Sequence, residues 1–549
     1  MVPTTTLRRA PVRRDHAGAA VPPARERAGW HPPRSDVLAA WAGTAAVTLL
    51  ALLLRLHDLG RPRSFAFDET YYAKDAWSLL HFGYVQGYVD GADEQILGGR
   101  TDGLWSGDPS MVVHPELGKW LIALGERAFG MDPFGWRVAS AVAGALMVLV
   151  MVRLARRVTR STALGLFAGL LLTFEGQHLV LSRLALLDIF LALFVLAAVS
   201  CHVADRDWTR ARMALAVGDT PLDPRSWGPR LWWRPWRLAA GVMWGAAIST
   251  KWTALFALAA FGLLLWLWDA GARRSFGVRW AVAKSAVIDA LPALGYVVLL
   301  PLLLYVLSWT GWLLHAEVYE QALSDTQYGP YWGSYLETDA TGFLPELWQS
   351  LRSLGHYHHD VYSFHTNFLN DSTHSYQSSP WGWFVLNRPV GIAVELDIPP
   401  GEQGCAAAEG STCLRQVVML GNPVVWWAGS LALLWSLVAG VTRRDWRHLL
   451  VLVGVAATWL PWFRYADRPI FSYYASLSLP FLVLALTLLV GQLAGGPDAS
   501  RRRRLAATVV AGTLLGLTIL AFAWFWPIWT DQLITRDEWL QRMWFTRWI

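Results

Sequence analysis

Residues 237–268 read RLAAGVMWGAAISTKWTALFALAAFGLLLWLW, and this stretch decides the fold. Two apolar runs, 237–250 and 253–268, flank a short polar apex, Ser249-Thr250-Lys251-Trp252. As helices of about 16 residues at ~1.5 Å rise, each reaches roughly 24 Å, a little less than the ~30 Å of a bilayer's hydrocarbon core. The pair is a transmembrane hairpin whose shortness holds the Lys251 ammonium at headgroup depth.

The pattern extends over the whole chain. With 54% hydrophobic and only 16% charged residues over 549 positions, the composition excludes a soluble globular protein and specifies a polytopic membrane protein. Apolar runs set against charge breaks give eleven expected spans, near 37–56, 134–154, 161–176, 185–203, 237–250, 253–268, 284–309, 423–441, 448–463, 471–494 and 505–526. The fold class is therefore all-α, with about eleven transmembrane helices. The 34 Trp residues gather at span ends, as at Trp232, Trp233, Trp426, Trp427, Trp524 and Trp526, where the headgroup interface favours indole rings.

Charge sets the orientation. Arg153, Arg156 and Arg157, then Arg206 through Arg237, then Arg273 and Arg274, Arg443 and Arg444, and Arg501 to Arg504 all fall in connectors on one side. On the other side, residues 310–422 hold twelve Asp and Glu against Arg352, Arg388 and Arg415. The positive-inside rule makes the N-terminus cytoplasmic and the C-terminus external. The division that follows is a disordered cytoplasmic tail (1–36), an N-terminal transmembrane region (37–309) with a first external loop at 57–133, a large external loop (310–422), and a C-terminal four-helix transmembrane region with an external tail (423–549). The net charge of +6 belongs to arginines facing anionic headgroups, and no basic module interleaved with aromatics points to nucleic acid. Cys201 is cytoplasmic. Cys405 and Cys413 are external, where a disulfide is expected over two free thiols.

The polar residues with chemical potential sit at the external ends. Phe65-Ala66-Phe67-Asp68-Glu69-Thr70-Tyr71-Tyr72 places adjacent carboxylates just past the first span. Either the pair deprotonates a hydroxyl or holds a cation at the membrane surface, or Asp68 simply caps a helix that begins at Glu69. The hairpin 161–203 brings Glu175, His178, Arg183 and Asp188 to its external turn, Arg137 opens the second span from outside, and Arg464 ends the ninth on the same face. Arg137, Arg183, Lys251 and Arg464 thus share one depth on the side that the positive-inside bias disfavours. Snorkelling accounts for any one of them, but the group asks for an anion, and a lipid phosphate is the natural candidate. In the large loop, His358, Tyr362 and His365 share a face if helical. That face suits either a metal or, preferentially, an amphipathic helix roofing the site on the outer leaflet, with Trp381 and Trp383 anchoring its exit. There is no paired CxxC, Gly-rich phosphate loop or nucleophile elbow.

Six ordered motifs carry a resemblance: Phe67-Asp68-Glu69-Thr70-Tyr71-Tyr72, His114-Pro115-Glu116-Leu117-Gly118-Lys119, Gly135-Trp136-Arg137, Ser182-Arg183 through Leu187-Asp188, Ser249-Thr250-Lys251-Trp252 and Phe471-Ser472-Tyr473-Tyr474-Ala475. Together, over about 37–526, they resemble the protein O-mannosyltransferases, C-type membrane glycosyltransferases that use polyprenyl-phosphate sugars, with the actinobacterial members closest in layout. The resemblance implies a polyprenyl-phosphate-mannose donor and Ser/Thr hydroxyls of translocating polypeptides as acceptors. It also implies an active site on the outer face of the cytoplasmic membrane. Asp68 is implied as the base and Glu69 as its partner in orienting substrate, with their exchange left open. Arg137 and Lys251, then Arg183 and Arg464, are implied to hold the donor phosphate, and His114, Asp188, Tyr473 and His365 to bind substrate or support the site. A single displacement would invert the anomeric centre. Membrane lipids and the secretion translocon are the further partners expected; no cofactor is indicated, and a divalent cation stays open.

Two departures stand out. The β-trefoil module that eukaryotic members carry between spans seven and eight has no counterpart, since 310–422 shows no threefold repeat. Glu116 stands where the family commonly has a second proline, and its role is unassigned. Two other readings remain at this stage: transfer of another lipid-linked sugar to a lipid or polysaccharide, and a secondary transporter.

Overall fold

The computed structural model describes residues 32–218, 222–323, 340–496 and 498–549. Most of the expected tail (residues 1–31), and Asp325, Glu337 and Asp339 of the acidic loop, lie outside the described residues. Among the described residues, seven helices are long and apolar enough to cross a bilayer: Arg34–Leu56, Pro133–Thr159, Leu187–Val217, Ala254–Ser275, Ala290–Ser308, Pro423–Arg443 and Arg501–Trp529. The shorter Thr162–Thr173, Pro235–Ile248, Trp446–Trp459 and Leu479–Ala494 occupy the remaining expected spans.

Side-chain pairing moves several boundaries. The first helix starts at Arg34, inside the expected tail, because Asp36 accepts hydrogen bonds from Arg156 and from Thr162 Oγ1 (2.8 Å) and so pins its first turn. Leu187–Val217 runs well past the expected end at 203, carrying Asp205 into contact with arginines of the basic connector. Arg234 Nε donates to Asp205 Oδ1 (3.0 Å), and Arg237 Nη2 donates to Asp269 Oδ2 (2.8 Å). All four residues are buried, so Arg234 and Arg237 face acids within the bundle, a correction to the expectation that they face lipid headgroups. Arg273 makes a similar fork with Asp289 through Nε (2.9 Å) and Nη2 (2.7 Å).

The described residues are mostly helical, with two small sheets outside the bundle. Gln86–Tyr88 pairs antiparallel with Trp105–Pro109. In the large loop, Val390–Ile398 pairs antiparallel with Cys413–Met419, which in turn pairs with Ile534–Thr535 of the C-terminal tail. Trp548 Nε1 donates to Leu386 O (2.7 Å), a second tie between tail and loop. The two therefore share one side of the bundle. A disulfide joins Cys405 to Cys413 with Cα atoms 5.7 Å apart, at the end of the loop hairpin.

The roofing helix is Phe343–Thr366. Its inner face buries Leu354, Tyr357 and Val361, while Phe343, Leu344 and Trp348 are exposed, the two-faced pattern of an interfacial helix. Tyr357 Oη donates to Val112 O (3.1 Å), fastening it to the first loop. The two tryptophans at its exit part ways, and only Trp383 departs from the expected anchoring. Trp381 is 76% exposed, whereas Trp383 is buried, its Nε1 donating to Ser378 Oγ (3.0 Å).

Candidate active site

The acid pair divides between two environments. Phe67 adopts a left-handed backbone (φ 57°), a conformation that costs energy for a bulky residue and is held here by its surroundings. Its ring meets Phe471 and Tyr473 edge-on, with centroids 5.6 and 6.1 Å away. This turn launches the helix Glu69–Phe82. Asp68 occupies the position before that helix, but its side chain makes no capping hydrogen bond, so the capping reading is set aside. Its carboxylate instead takes a hydrogen bond from Tyr72, one turn on, and lies in the fields of Lys251 and Asp188.

Glu69 is fully buried. Oε1 accepts from Arg137 Nε (2.8 Å) and Ala185 N (2.8 Å); Oε2 accepts from Arg137 Nη2 (2.7 Å) and Ala66 N (2.9 Å). Arg137 spends its other N–H groups on Pro62 O (2.8 Å), Leu59 O (3.3 Å) and Ser64 O (2.9 Å). All five guanidinium donors are thus used. This corrects two expectations: Arg137 has nothing left for a phosphate, and Glu69 has no lone pair left for substrate. The pair ties the first loop, the helix Pro133–Thr159 and the turn before Leu187 into one frame. The two glycines nearby serve the same packing, since a Cβ at Gly135 would sit 2.0 Å from Gly130 O and one at Gly125 would sit 2.3 Å from Gly135 O.

Two further cations move out of the phosphate set. Arg183 is buried, with Nη1 donating to Arg55 O (3.0 Å) and His57 O and Nη2 to Asp58 O (2.9 Å). It closes the C-terminal end of the first helix, where carbonyls lack helical partners. Arg464 is exposed. The residue turned inward lies four positions later, at the end of a non-helical turn: half-buried Arg468, whose Nη1 lies 3.1 Å from His365 Nδ1 and 3.1 Å from His365 O. Its Nε is buried without a partner. Sequence reading missed Arg468, although it stands three residues before the Phe471-Ser472-Tyr473-Tyr474 motif.

Lys251 stays in the cluster, although the second helix of its hairpin, Ala254–Ser275, runs to 22 residues and is longer than expected. Its Nζ lies 2.8 Å from Asp188 Oδ2 and 5.7 Å from the ring centre of Tyr474. Tyr474 feels both Lys251 and Arg468 as positive neighbours, so both cations lie near one aromatic ring. His114 and His365 stack beside it, with ring centroids 5.6 Å apart and planes at 16°. His365 Nε2 faces Val113 O at 3.3 Å. The carbonyl therefore requires the proton on Nε2 and leaves Nδ1 to accept from Arg468. Tyr473 is buried in the same cluster, in the fields of Asp68 and Asp188. Asp68, His114, Asp188, Lys251, His365 and Tyr473 thus converge, together with Tyr72, Tyr474 and Arg468.

Burial pushes the Asp68 carboxyl up to about 6, with Asp188 adding to the shift while Lys251 and the Tyr72 hydrogen bond oppose it. Burial likewise pushes His365 down to about 4, helped by Arg468, and holds His114 well below the usual imidazole range. Both imidazoles are neutral near pH 7. Asp68 is ionised there, yet basic enough to accept a proton in a transition state. Glu116 is buried, with Oε2 3.4 Å from Trp120 Nε1 and Oε1 unpartnered, and burial pushes it up to about 7.

Among the described residues, no group of three or more His, Cys, Asp and Glu side chains could hold a metal ion. The His358, Tyr362 and His365 face does not converge. His358 Nε2 is 2.5 Å from Tyr305 Oη and its ring stacks on Trp252, Tyr362 is exposed, and His365 turns to His114.

Comparison with known proteins matches two family models, dolichyl-phosphate-mannose-protein mannosyltransferase over residues 126–319 and the C-terminal four TMM region of protein-O-mannosyltransferase over 350–548. A polyprenol-phosphate-mannose–protein mannosyltransferase of Mycolicibacterium smegmatis (strain MKD8) is 37% identical over 514 residues, covering 92% of this chain and 93% of that protein. One of Mycobacterium tuberculosis (strain CDC 1551 / Oshkosh) is 34% identical over 519 residues, covering 93% and 92%. The fold resembles the S. cerevisiae protein O-mannosyltransferase Pmt1-Pmt2 complex, solved bound to the sugar donor, with a TM-score of 0.66 at 15% identity over 96% of this chain and 95% of that one. Near-complete coverage by these relatives sets the transporter reading aside, and the chain belongs to the protein O-mannosyltransferase family of membrane glycosyltransferases.

Proposed function

We propose that this protein transfers mannose from polyprenyl-phosphate-mannose to Ser and Thr hydroxyls of polypeptides emerging at the outer face of the cytoplasmic membrane, with inversion at the anomeric carbon. The names of its full-length relatives support the donor and the protein acceptor. The charge asymmetry of the connectors supports the outward-facing site. The observation that carries the mechanism is the division of the acid pair: Glu69 is saturated, and Asp68 is ionised, uncapped and aimed into the cluster.

In this reading Asp68 takes the proton of the acceptor hydroxyl as its oxygen attacks the anomeric carbon. The bond from that carbon to the phosphate oxygen breaks, and the electron pair leaves on polyprenyl phosphate. The leaving group is a phosphate monoester and needs no strong general acid, but the charge gathering on it needs cations in a shielded place. Lys251 and Arg468, both near Tyr474, supply them. The neutral His365 fixes Arg468 in position and leaves the positive charge to the guanidinium.

Membranes containing the protein, labelled polyprenyl-phosphate-mannose and a Ser/Thr-containing peptide form the test. The expected result is alkali-labile mannose on the peptide. Label passing to a lipid or polysaccharide, with the peptide untouched, contradicts the proposal.

A further inference from the structure

At the end of the bundle away from Lys251, a cavity of about 780 Å³ opens between Ala254–Ser275 and the chain from Ser285 to Val298. Asp269, on its wall, lies 18 residues beyond Lys251, about 27 Å along a helix at ~1.5 Å per residue, so the cavity is separate from the site described above. Its walls are apolar. Val287, Leu291, Leu294 and Val298 are exposed along one side, and a Cβ added at Gly262 would meet nothing within 4 Å. The helix forming that side relaxes into a π-helical stretch at Leu294–Leu299, and Trp266 Nε1 bonds to Val282 O (3.1 Å) across the rim.

The inner end is polar, and its groups are satisfied with one exception. Asp269 accepts from Arg234 (3.0 Å) and Arg237 (2.8 Å), and Asp289 accepts from Arg273 and from Ser285 Oγ (2.8 Å). Arg237 lines the cavity, is only 1% exposed, and spends Nε and Nη2 on Asp205 and Asp269. Its Nη1 is buried without any hydrogen-bond partner. An unpaired guanidinium N–H costs free energy unless an acceptor reaches it. The described residues provide none.

We propose that this cavity is a phospholipid site, with an acyl chain between the two helical walls and a phosphate oxygen accepting from Arg237 Nη1. Three arginines (Arg234, Arg237, Arg273) meet three aspartates (Asp205, Asp269, Asp289) here, so the cluster is charge-balanced, and what draws the phosphate is the unspent N–H of Arg237 together with the basic connectors that gather at this membrane end. An apolar chain alone would fill the walls and leave Nη1 bare. The lipid thus braces the helix Ala290–Ser308, whose apolar window is only 11% buried by protein.

Purified full-length protein in detergent, offered phosphatidylglycerol, diacylglycerol with the same acyl chains, or polyprenyl phosphate, tests this by native mass spectrometry. Wild-type protein is expected to retain phosphatidylglycerol at least tenfold better than diacylglycerol. Gly262→Phe, which fills the open wall, is expected to abolish that retention. Equal retention of the two lipids removes the phosphate contact and overturns the proposal. So does undiminished phosphatidylglycerol retention by Gly262→Phe, or its displacement by polyprenyl phosphate, which would assign the cavity to the donor's tail. The wild-type comparison alone decides the headgroup claim if the variant fails to fold.

Discussion

The two ends of the helical bundle use the same residue types to opposite ends. On the basic side, Arg234, Arg237 and Arg273 meet Asp205, Asp269 and Asp289 in forks of 2.5–3.1 Å, and nearly every donor and acceptor is used. On the opposite side, Lys251 shares Asp188 while Asp68 remains uncapped and Arg468 keeps an unpartnered Nε. Charges that saturate one another hold helices together; charges left over are available to a substrate. The same contrast recurs within two residues, since Glu69 is saturated and Asp68 is not.

The comparison breaks most visibly at Arg137. Removing one partner from a buried pair leaves an uncompensated charge, at a cost of about 3–5 kcal/mol, against a total stability of about 5–15 kcal/mol. Arg137→Ala is therefore expected to collapse the amount of folded protein in the membrane, measured by immunoblot and by thermal stability in detergent. Folded Arg137→Ala protein with a raised donor requirement would return Arg137 to the phosphate site.

Arg468→Ala and Lys251→Ala sharpen the other half. Each removes a cation that meets developing charge, and loss of one such preorganised contact typically costs about 10²–10³-fold in rate. The loss is expected in kcat and in the donor concentration needed, with dependence on the acceptor peptide little changed. Arg464→Ala, exposed and outside the cluster, is expected to be near wild type. The reverse ranking of Arg464 and Arg468 would contradict the phosphate assignment.

The smallest effect is in pH. Asp68, pushed up to about 6, works as a base only when ionised, so the transfer rate is expected to fall through a limb near pH 6, by about tenfold at pH 5. The sign for stability is opposite: a carboxyl raised in the folded state binds its proton more tightly there, so acidification from about 6 toward 4 favours the folded protein on this group's account. A pH–rate profile run beside a thermal melt separates the two, and a flat profile between pH 5 and 7 would remove Asp68 as the base.

Much of this was legible in the sequence. Each expected span falls on helical segments among the described residues, seven of them long and apolar enough to cross a bilayer. Lys251 was legible as the cation at the apex of its hairpin, though the second helix of that hairpin, at 22 residues, is longer than expected. The roles of Arg137, Arg183 and Arg464 were not legible. Depth from charge pattern says where an arginine lies, whereas its role depends on which carbonyls and carboxylates fold against it, and Leu59, Pro62 and Ser64 offer only backbone oxygens that no side-chain motif advertises. Arg468 was missed for the mirror-image reason: adjacent in sequence to the exposed turn that carries Arg464, it is distinguished only by its contact with His365, 103 residues away. The basic connector misled in the same way, since Arg234 and Arg237 look headgroup-facing until the helix Leu187–Val217 is extended far enough to bring Asp205 to them.

The most direct test sets the two neighbouring carboxylates against each other in a mannosyl-transfer assay at matched protein abundance. Asp68→Asn keeps the shape but cannot take a proton. It is expected to lower the rate by about 10²–10⁴-fold, with folding and donor binding intact, while Glu69→Gln is expected to lose folded protein. Near-wild-type transfer by Asp68→Asn, or a well-folded but inactive Glu69→Gln, would reverse the assignment of chemistry and structure within the pair.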